Sequence, residues 1–290
     1  MATINQLCII GVGLIGGSLA RALKKAGVCK EIVGASRSAG NLEKAVSLGV
    51  IDRFETDLSK AVAKADVIVL CVPVGTNRAV LEAIRDHIRT DAILTDVGST
   101  KGSVVEDVKN VFGKLPAGFV PGHPIAGTER SGVEASFAEL FNDRKVILTP
   151  LAETDTKAVH TVRTMWEHAG AEVVEMSVEH HDEVLAATSH LPHLLAFSLV
   201  DTLARMDEQT EIFKYAAGGF RDFTRIASSD PVMWHDICLA NHDAIIKMLD
   251  QFTSGLDELK MALNKSDSKK ILEIFRRARE ARDRYTQNEQ

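Results

Sequence analysis

The sequence is most constrained by a glycine string that directly follows a short apolar run. Leu7–Ile10 is apolar and β-rich, and the string GVGLIG begins at Gly11 and opens a helical pattern. In a strand–turn–helix unit, the first glycine permits a tight turn, the second lets the backbone approach a pyrophosphate, and the third allows the helix to pack closely on the strand. A glycine-rich turn of another α/β protein is the alternative. The spacing predicts a dinucleotide site whose residues are Gly11, Gly13, Leu14, Ile15 and Gly16.

The first 150 residues alternate between two hydrophobic periodicities. The apolar, β-rich runs are Leu7–Ile10, Glu31–Ala35, Val67–Val72, Ile93–Val97, Gly118–Pro121 and Val146–Leu148. Helical patterns lie between several of them, at Ser18–Ala26, Leu42–Leu48, Arg78–Ile88 and Gly102–Phe112. Strands that alternate with helices imply crossover units and a mostly parallel sheet covered on both faces. A further strand, Glu172–Met176, is expected to close this half of the chain.

The strand signal ends near residue 178, and the remainder of the chain has helical periodicity. Apolar residues recur with i, i+3, i+4 spacing in Glu179–Met206, Glu211–Ala227, Pro231–Leu263 and Asp267–Tyr285. Ser229-Asp230-Pro231 is a strong helix-start signal, because a capping residue precedes a proline at the first helical position. The pattern predicts two domains, residues 1–177 of α/β type and residues 178–290 of all-helical type.

The end of the second strand bears on the choice of cofactor. An NAD-selective site usually carries an acid there for the ribose 2′-hydroxyl, but this chain has Ser36-Arg37-Ser38. Arg37 suits a 2′-phosphate, which favours NADP, although an exposed Arg37 stacked on the adenine would leave NAD usable. Ligands of open α/β sheets bind at the carboxyl ends of strands. Further cofactor contacts are therefore expected from Val72, Pro73 and Asp96.

Composition narrows the class of partner. With 34 Lys and Arg against 40 Asp and Glu, the formal charge is −6, which argues against nucleic acid and anionic membranes as main partners. No apolar run approaches the length of about 20 residues that spans a bilayer, and the N-terminus lacks the features of a signal peptide. The four cysteines follow no metal or disulfide spacing, so free thiols and a cytoplasmic location are expected.

Two polar motifs follow predicted strands of the first half. Asp96-Val97-Gly98-Ser99-Thr100-Lys101 would direct Ser99 toward the cofactor, although Ser99 or Thr100 could equally cap the next helix. The second motif, Gly122–Gly132, is a turn-rich loop that contains His123, Thr128 and Glu129. A histidine at a strand end beside a cofactor cleft is well placed as an acid or base, whereas a lone histidine is more often structural.

The helical half contains two further candidate clusters. His190 and His193 lie three residues apart, and Asp182 lies upstream; a zinc site with Asp182 as third ligand is conceivable, but the prediction is that no metal is bound. Arg221 and Arg225 are spaced to share one helix face, which suits an anionic ligand, although a pair of surface ion pairs is the alternative.

Five motifs, in this order and spacing, resemble those of the prephenate/arogenate dehydrogenases of tyrosine biosynthesis. They are GVGLIGGS at Gly11, DVGSTK at Asp96, GHPIAGTERSG at Gly122, SHLPH at Ser189 and GGFRDFTRIASSDPVMW at Gly218, and the resemblance covers roughly residues 6–262. It implies an α/β Rossmann-type dinucleotide-binding domain followed by an all-α dimerisation and substrate domain. It also implies a homodimer formed through the helical domain, and oxidative decarboxylation of prephenate or arogenate with NAD or NADP.

The resemblance also implies roles for individual residues. His123 matches the histidine that hydrogen-bonds the ring C4 hydroxyl and would act as the base during hydride transfer, and Ser99 matches the serine that orients that hydroxyl. Arg225 matches the arginine that holds a substrate carboxylate, and Trp234 resembles a residue that reaches the site from the other subunit. The implied substrate-binding residues are Thr128, Glu129 (a gating acid), His190, His193, Arg221, Arg225 and Trp234.

Two choices stay open at this level. No residue of the sequence distinguishes the keto group of prephenate from the ammonium of arogenate, and none shows inhibition by tyrosine.

A β-hydroxyacid dehydrogenase would share the domain layout but would resemble its own family through a lysine early in the helical half. The region Val178–Met206 contains no lysine, which argues against that class.

Overall fold

The computed structural model describes residues 4–128, 130–206 and 209–287. The chain forms two compact units, Met1–His242 and Asp243–Gln290. The described part of the first unit contains two β-sheets and the helices that cover them, followed by several helices.

The larger sheet has six parallel strands in the order β3-β2-β1-β4-β5-β6. The strands are β1 Ile4–Ile10, β2 Cys29–Ala35, β3 Arg53–Glu55, β4 Val67–Leu70, β5 Ile93–Asp96 and β6 Phe119–Val120. The helices between them are α1 Leu14–Ala26, α2 Ala39–Ser47, α3 Leu58–Val62, α4 Asn77–Ile84 and α5 Gly102–Phe112. The predicted Rossmann-type parallel sheet is confirmed, and its strand order reverses between β1 and β4, beside the glycine string.

The side chains of β1 show why this sheet is buried on both faces. Leu7 and Ile9 belong to one apolar core, whereas Cys8 and Ile10 belong to another, because successive side chains of a strand point to opposite faces. All four are at most 1% exposed. A continuous apolar run is therefore what this strand requires.

A second, smaller sheet was not expected. It contains β7 Gly122–Pro124, β8 Lys145–Leu148 and β9 Glu172–Glu175, with β7 antiparallel to β8 and β8 parallel to β9; helix α6 (Thr156–His168) connects β8 to β9. The expectation that His123 lies in a turn-rich loop is wrong, because residues Gly122–Pro124 pair with β8 as a strand. Pro121 has no backbone N–H to continue the first sheet. The backbone of Gly122 is instead held by side chains, with its N–H donated to Asp96 (3.1 Å) and its carbonyl accepting from Lys101 (2.6 Å).

The helical part of the first unit is more interrupted than its periodicity predicts. It consists of α7 Val178–Leu185, a π-helical turn at Ala186–His190, α8 Leu191–Ala204, α9 Gln209–Lys214, α10 Gly218–Thr224, a 3-10 turn at Arg225–Ser228 and α11 Pro231–Ala240. The predicted start at Pro231 is confirmed, and the Asp230 side chain accepts from the N–H of Val232 and Met233. The expected single helix Pro231–Leu263 breaks at Asn241, whose side chain is engaged elsewhere.

The helical stretch Val178–Ala204 is long and apolar enough to be a candidate membrane span, although the sequence analysis expected none. By length and composition alone these 27 helical residues could cross a membrane, with a mean hydropathy of 1.2 in the most apolar window. The same segment contains His181, Asp182 and His190, which make polar contacts inside the unit. Helices of protein cores and of subunit interfaces have the same composition, so this one segment is weak support for a membrane span.

The second unit is helical in its described residues. It contains α12, which begins at His242 in the first unit and ends at Asn264, and α13, Ser268–Gln287. The helices are joined at Ser266, which has a φ of 51°, and Lys270 of α13 forms an ion pair of 2.9 Å with Glu258 of α12. Several large apolar side chains are exposed there, namely Leu256, Met261, Leu263, Leu272 and Phe275.

Candidate active site

The glycine string forms the turn between β1 and α1. Gly11 has a φ of +99°, and a Cβ there would overlap the carbonyl oxygen of Cys71, so no other residue fits. A Cβ at Gly16 would overlap the Gly11 carbonyl oxygen, so this glycine allows the helix to approach the strand. Around Gly13 nothing lies within 4 Å of the Cβ position, which leaves open space above the turn. The surroundings of the three glycines therefore fit the three separate functions that the motif predicts.

The N-terminus of α1 fits the phosphates of a dinucleotide. The helix begins at Leu14, its capping residue Gly13 provides no side-chain hydrogen bond, and its first turn contains no acid. Free backbone N–H groups and the positive end of the helix dipole therefore remain available to an anion. Leu14 and Ile15 are partly buried and pack on the core, which fixes the direction of this first turn.

Three exposed or partly exposed positions follow β2. Ser36 is partly buried, while Arg37 and Ser38 are exposed, and the Ser38 N–H donates to the Ser36 hydroxyl (3.3 Å). Within residues 4–128, 130–206 and 209–287, no side chain forms an ion pair with Arg37. This cation is therefore available to a negatively charged group at the end of the strand. Val72 and Pro73, which follow β4, are partly and largely exposed at the same edge of the sheet.

His123 lies on β7 and contacts a histidine of the helical part. Its Nδ1 is 2.9 Å from Nε2 of His181, whose own Nδ1 is 2.7 Å from Oδ1 of Asp182. Burial, followed by the charges of His181, Lys101 and His190, holds the pKa of His123 well below its ordinary value. His123 is therefore neutral at neutral pH, as a general base must be.

Asp182 connects this histidine pair to the N-terminus of α5. Its Oδ1 accepts from the backbone N–H of Lys101 and its Oδ2 from that of Gly102, each at 2.8 Å. Burial alone would raise the pKa of Asp182, but the hydrogen bonds from His181 and from the two backbone N–H groups lower it. A Cβ at Gly102 would lie 2.9 Å from Oδ2 of Asp182, so glycine leaves room for this contact.

Asp96 faces inward, although it is a predicted cofactor contact. Its carboxylate forms a fully buried ion pair with Lys101 and accepts from the backbone N–H of Gly98 (2.8 Å) and Gly122 (3.1 Å). Burial lowers the pKa of Lys101, and the charges of Asp96 and Asp182 partly offset that effect. The hydrogen bonds of the Asp96 side chain thus join β5 to β7. The positive charge of Lys101 contributes to lowering the pKa of His123.

His190 presents an unpartnered ring nitrogen. Its Nδ1 lies 3.1 Å from Nδ2 of Asn241, which also donates to the Asp182 carbonyl (2.9 Å). An amide N–H₂ can only donate, so Nδ1 accepts and the neutral ring carries its hydrogen on Nε2. That Nε2 is buried and makes no hydrogen bond of good geometry among the described residues, although the Ser99 backbone is close enough to favour the protonated ring. Burial lowers the pKa of His190 to about 4.

His193 and Trp234 form a stacked pair. Their ring centroids are 3.6 Å apart with an interplanar angle of 20°, and the His193 Nδ1 is 2.9 Å from the Ser189 carbonyl oxygen. Burial lowers the pKa of His193, and the charge of Arg225 contributes in the same direction. Within one chain the Trp234 ring packs on His193 and lies 6.1 Å, centroid to centroid, from the His190 ring.

The remaining predicted residues lie around this cluster. Arg225 begins the 3-10 turn that packs on α8, whereas Arg221 is in the last turn of α10 and is exposed. The expected pair on one α-helical face is therefore divided between two elements. Thr128 is exposed and accepts from the Arg130 N–H (3.2 Å). Glu129 lies outside the described residues.

The structure adds four polar residues that the sequence analysis did not assign to the site. Lys101 lies within a motif, Asp182 was considered only as a conceivable zinc ligand, and neither its neighbour His181 nor Asn241 was given a role. Within the described part of the chain, no group of three or more His, Cys, Asp or Glu is arranged to hold a metal ion. The histidines are linked to one another and to amide or carboxylate groups.

A parallel sheet with an uncapped helix at its glycine turn, followed by a neutral histidine, defines a nicotinamide-dependent dehydrogenase. The profile described as "Prephenate dehydrogenase, nucleotide-binding domain" matches residues 19–175, and that described as "Prephenate dehydrogenase, dimerization domain" matches residues 177–277. The chain belongs to the prephenate dehydrogenase family. It is an oxidoreductase.

Individual proteins show the same similarity. The chain is 40% identical to the cyclohexadienyl dehydrogenase of Zymomonas mobilis over 97% of this chain and 96% of that protein. It is 38% identical to the prephenate dehydrogenase of Bacillus subtilis, over 96% and 76% of the two chains. A crystal structure of Aquifex aeolicus prephenate dehydrogenase in complex with hydroxyphenyl propionate and NAD⁺ superposes with a TM-score of 0.91 at 40% identity, covering 98% and 99%.

Proposed function

We propose that this enzyme oxidatively decarboxylates prephenate to 4-hydroxyphenylpyruvate, arogenate to tyrosine, or both. The observation that carries the proposal is the placement of His123 on β7 with its Nδ1 2.9 Å from Nε2 of His181, and burial and neighbouring charges hold the pKa of this histidine well below its ordinary value. A neutral imidazole can accept the proton of a ring hydroxyl. The names of the relatives, cyclohexadienyl and prephenate dehydrogenase, support the same class of substrate.

The proposed reaction needs a base at one end of the ring and a cation at the other. His123 takes the proton of the C4 hydroxyl as the C4–O bond becomes a carbonyl and hydride leaves C4. When bound, the nicotinamide supplies the acceptor for that hydride. The C1 carboxylate departs as carbon dioxide, its bonding electrons enter the ring, and the resulting phenolate oxygen takes the proton back from His123 to give the phenol. Because aromatisation drives the reaction, the protein mainly aligns the substrate and accepts the proton.

Substrate contacts are proposed for residues around His123. Ser99 orients the C4 hydroxyl, and Arg225 binds a substrate carboxylate through a charge-assisted hydrogen bond. His190 is well suited to donate to the substrate from its buried Nε2, which makes no hydrogen bond of good geometry among the described residues. The other proposed contacts are Thr128, Glu129, His193, Arg221 and Trp234.

NADP is the proposed preferred cofactor, with NAD as the alternative. Arg37 is exposed at the end of β2, and no acid stands there to bind a ribose 2′-hydroxyl. A guanidinium without an ion-pair partner in the described chain suits the 2′-phosphate. The proposed cofactor residues are Gly11, Gly13, Leu14, Ile15, Gly16, Ser36, Arg37, Ser38, Val72, Pro73 and Asp96, the last through its backbone.

The proposed division of labour places cofactor binding in residues 1–177 and dimerisation with substrate binding in residues 178–290. The match of the dimerization-domain profile to residues 177–277 supports a homodimer, and the exposed apolar side chains of α12 and α13 are suited to such an interface. A cytoplasmic location is proposed, since the four cysteines are free thiols.

One experiment tests the function and separates the open alternatives. The purified enzyme is mixed with prephenate or arogenate and with NAD⁺ or NADP⁺, and formation of reduced nicotinamide is followed by its near-ultraviolet absorbance. Activity with prephenate or arogenate supports the proposal, and the four combinations rank substrates and cofactors. No activity in any combination would refute it.

A further inference from the structure

Behind His123 lies a chain of hydrogen bonds that ends at a helix N-terminus. The chain runs from Nδ1 of His123 to Nε2 of His181 (2.9 Å), and from Nδ1 of His181 to Oδ1 of Asp182 (2.7 Å). Asp182 in turn accepts two backbone N–H groups of α5, those of Lys101 and Gly102. His181 has no exposed surface, so water does not compete for its ring nitrogens.

Hydrogen-bond chemistry determines where each ring hydrogen lies. Asp182 is held as a carboxylate by three donors and can only accept, so Nδ1 of His181 must carry a hydrogen. Burial lowers the pKa of His181, so this ring is neutral and its Nε2 has a lone pair. Nδ1 of His123 must therefore donate to it. In a neutral His123 the second nitrogen, Nε2, is then left without a hydrogen.

We infer that His181 and Asp182 are positioning residues that hold His123 in the one tautomer whose Nε2 can accept a proton. The inference rests on the proposed role of His123 as the base. In the proton-transfer step, the hydroxyl proton moves to Nε2 while the Nδ1 hydrogen stays on His123 and is donated to His181. The positive charge that forms on the His123 ring is compensated through His181 by the carboxylate of Asp182.

Several charged or titratable groups around His123 affect the stability of its protonated form. After burial, the charges of His181, of Lys101 and of His190 from the π-helical turn all disfavour a protonated His123. The Asp182 carboxylate is the negative group at the end of the chain of hydrogen bonds, and the Asp96 charge is already neutralised by Lys101. Loss of His181 would thus remove both the tautomer constraint and the path to the compensating charge.

The first test measures the tautomer directly. Wild-type enzyme labelled with ¹⁵N-histidine is examined by NMR, and the His123 signals are assigned among the ten histidines by their loss in His123→Asn. The expected result is a hydrogen on Nδ1 and none on Nε2 of His123. A hydrogen on Nε2 overturns the inference. Because this measurement requires no turnover, it stands even if the proposed substrates prove wrong.

The second test uses three variants of neighbouring histidines. His181→Phe keeps a ring but removes the acceptor, and we expect kcat to fall about 10–100-fold, as is typical when the group orienting an active-site ligand is lost, with KM unchanged. His181→Gln restores an acceptor and a donor, and we expect it to recover most of kcat. His180→Phe changes the exposed neighbour on the same helix and should leave kcat unchanged.

The outcomes separate this inference from the proposed function. An active wild type whose His181→Phe variant folds, by circular dichroism, and keeps its kcat overturns the inference alone. If His181→Phe does not fold, the inference is tested by His181→Gln and by the wild-type tautomer. A His181→Gln variant that folds but lacks most of the wild-type kcat then overturns the inference. Absence of any wild-type dehydrogenase activity instead refutes the proposed function.

Discussion

Nδ1 of His123, on β7, lies 2.9 Å from Nε2 of His181, on α7, although the two residues are 58 positions apart in the chain. The contact joins a strand that follows the dinucleotide-binding sheet to the first helix beyond β9. It brings the proposed base from one part of the sequence against the residue proposed to orient it from the other. The site is therefore formed by both halves of the first unit.

Replacing His123 tests the proposed base. We expect His123→Asn to lower kcat by about 10²–10⁴-fold, because a positioned general base contributes that much, while KM changes little. The measurement is steady-state turnover with the best substrate and cofactor. His168→Asn, an exposed histidine of α6, is the matched control and should behave as wild type. Undiminished turnover of His123→Asn would remove this residue from the role.

Replacing Arg225 tests substrate binding. We expect Arg225→Ala to raise KM for the substrate by about tenfold or more, because a charge-assisted hydrogen bond is worth about 1.5–3 kcal/mol. Arg205→Ala removes an exposed arginine at the end of α8 and serves as the control. Initial-rate kinetics at saturating cofactor give both constants. An unchanged KM in Arg225→Ala argues against the assignment.

Replacing Arg37 tests cofactor selection. We expect Arg37→Ala to raise KM for NADP⁺ by about tenfold while KM for NAD⁺ stays the same, since only NADP⁺ carries the 2′-phosphate. The two constants are measured side by side, with Arg85→Ala, an exposed arginine just after α4, as the control. Equal effects on both cofactors would indicate that Arg37 contacts a part that they share.

Acid should destabilise the protein through its buried histidines. The pKa of His190 is lowered from 6.5 to about 4, so between these values the unfolded chain binds more protons than the folded one. The free energy of unfolding therefore falls as the pH falls through this window, by up to about 1.4 kcal/mol per pH unit for this group.

The pH effect is measured by urea unfolding at several pH values from neutral to acidic. We expect His190→Gln, which cannot titrate, to lose less stability over the window than wild type. His180→Gln, at an exposed position, should follow the wild-type curve. Identical pH dependence in wild type and His190→Gln would contradict the expectation.

A methyl group at Gly102 should disturb the link between α5 and Asp182. Its Cβ would lie 2.9 Å from the Asp182 Oδ2, closer than real Cβ contacts, so Asp182 must shift. We expect Gly102→Ala to lower kcat and to lower the free energy of unfolding by about 1 kcal/mol. Gly40→Ala, in α2 with nothing within 4 Å of its Cβ, should instead be neutral or stabilising. Thermal unfolding and turnover are measured for both variants. Equal stability and equal kcat in Gly102→Ala and Gly40→Ala would argue against a functional contact between α5 and Asp182.

Local sequence patterns predicted the elements that depend mainly on neighbouring residues of the chain. The glycine string and the continuous apolar strands were sufficient for the parallel sheet and its nucleotide-binding turn, because turn conformation and burial act on neighbouring residues. The helix α6 was missed although Ala158, Val162, Met165 and Trp166 recur on one buried face. Its polar residues, including Asp155 at the cap, concealed that periodicity.

The breaks in the helical half could not be predicted from periodicity. The π-helical turn before Leu191 and the end of α11 near Asn241 depend on contacts between distant segments, since Asn241 bonds both His190 and the Asp182 carbonyl. The second sheet likewise depends on Asp96 and Lys101 holding the backbone of Gly122. Interactions of this kind leave no spacing signal, because their partners are 20 or more residues apart.

By itself, the amino-acid sequence determined the fold class, the dinucleotide turn and the family, since each is carried by short segments with their own chemistry. Only the tertiary structure decided which histidine stands behind His123, that Asp96 faces inward, and that Trp234 stacks on His193. The physical reason is that a ring nitrogen acquires its partner, its burial and its protonation from groups that the chain brings together only after it has folded.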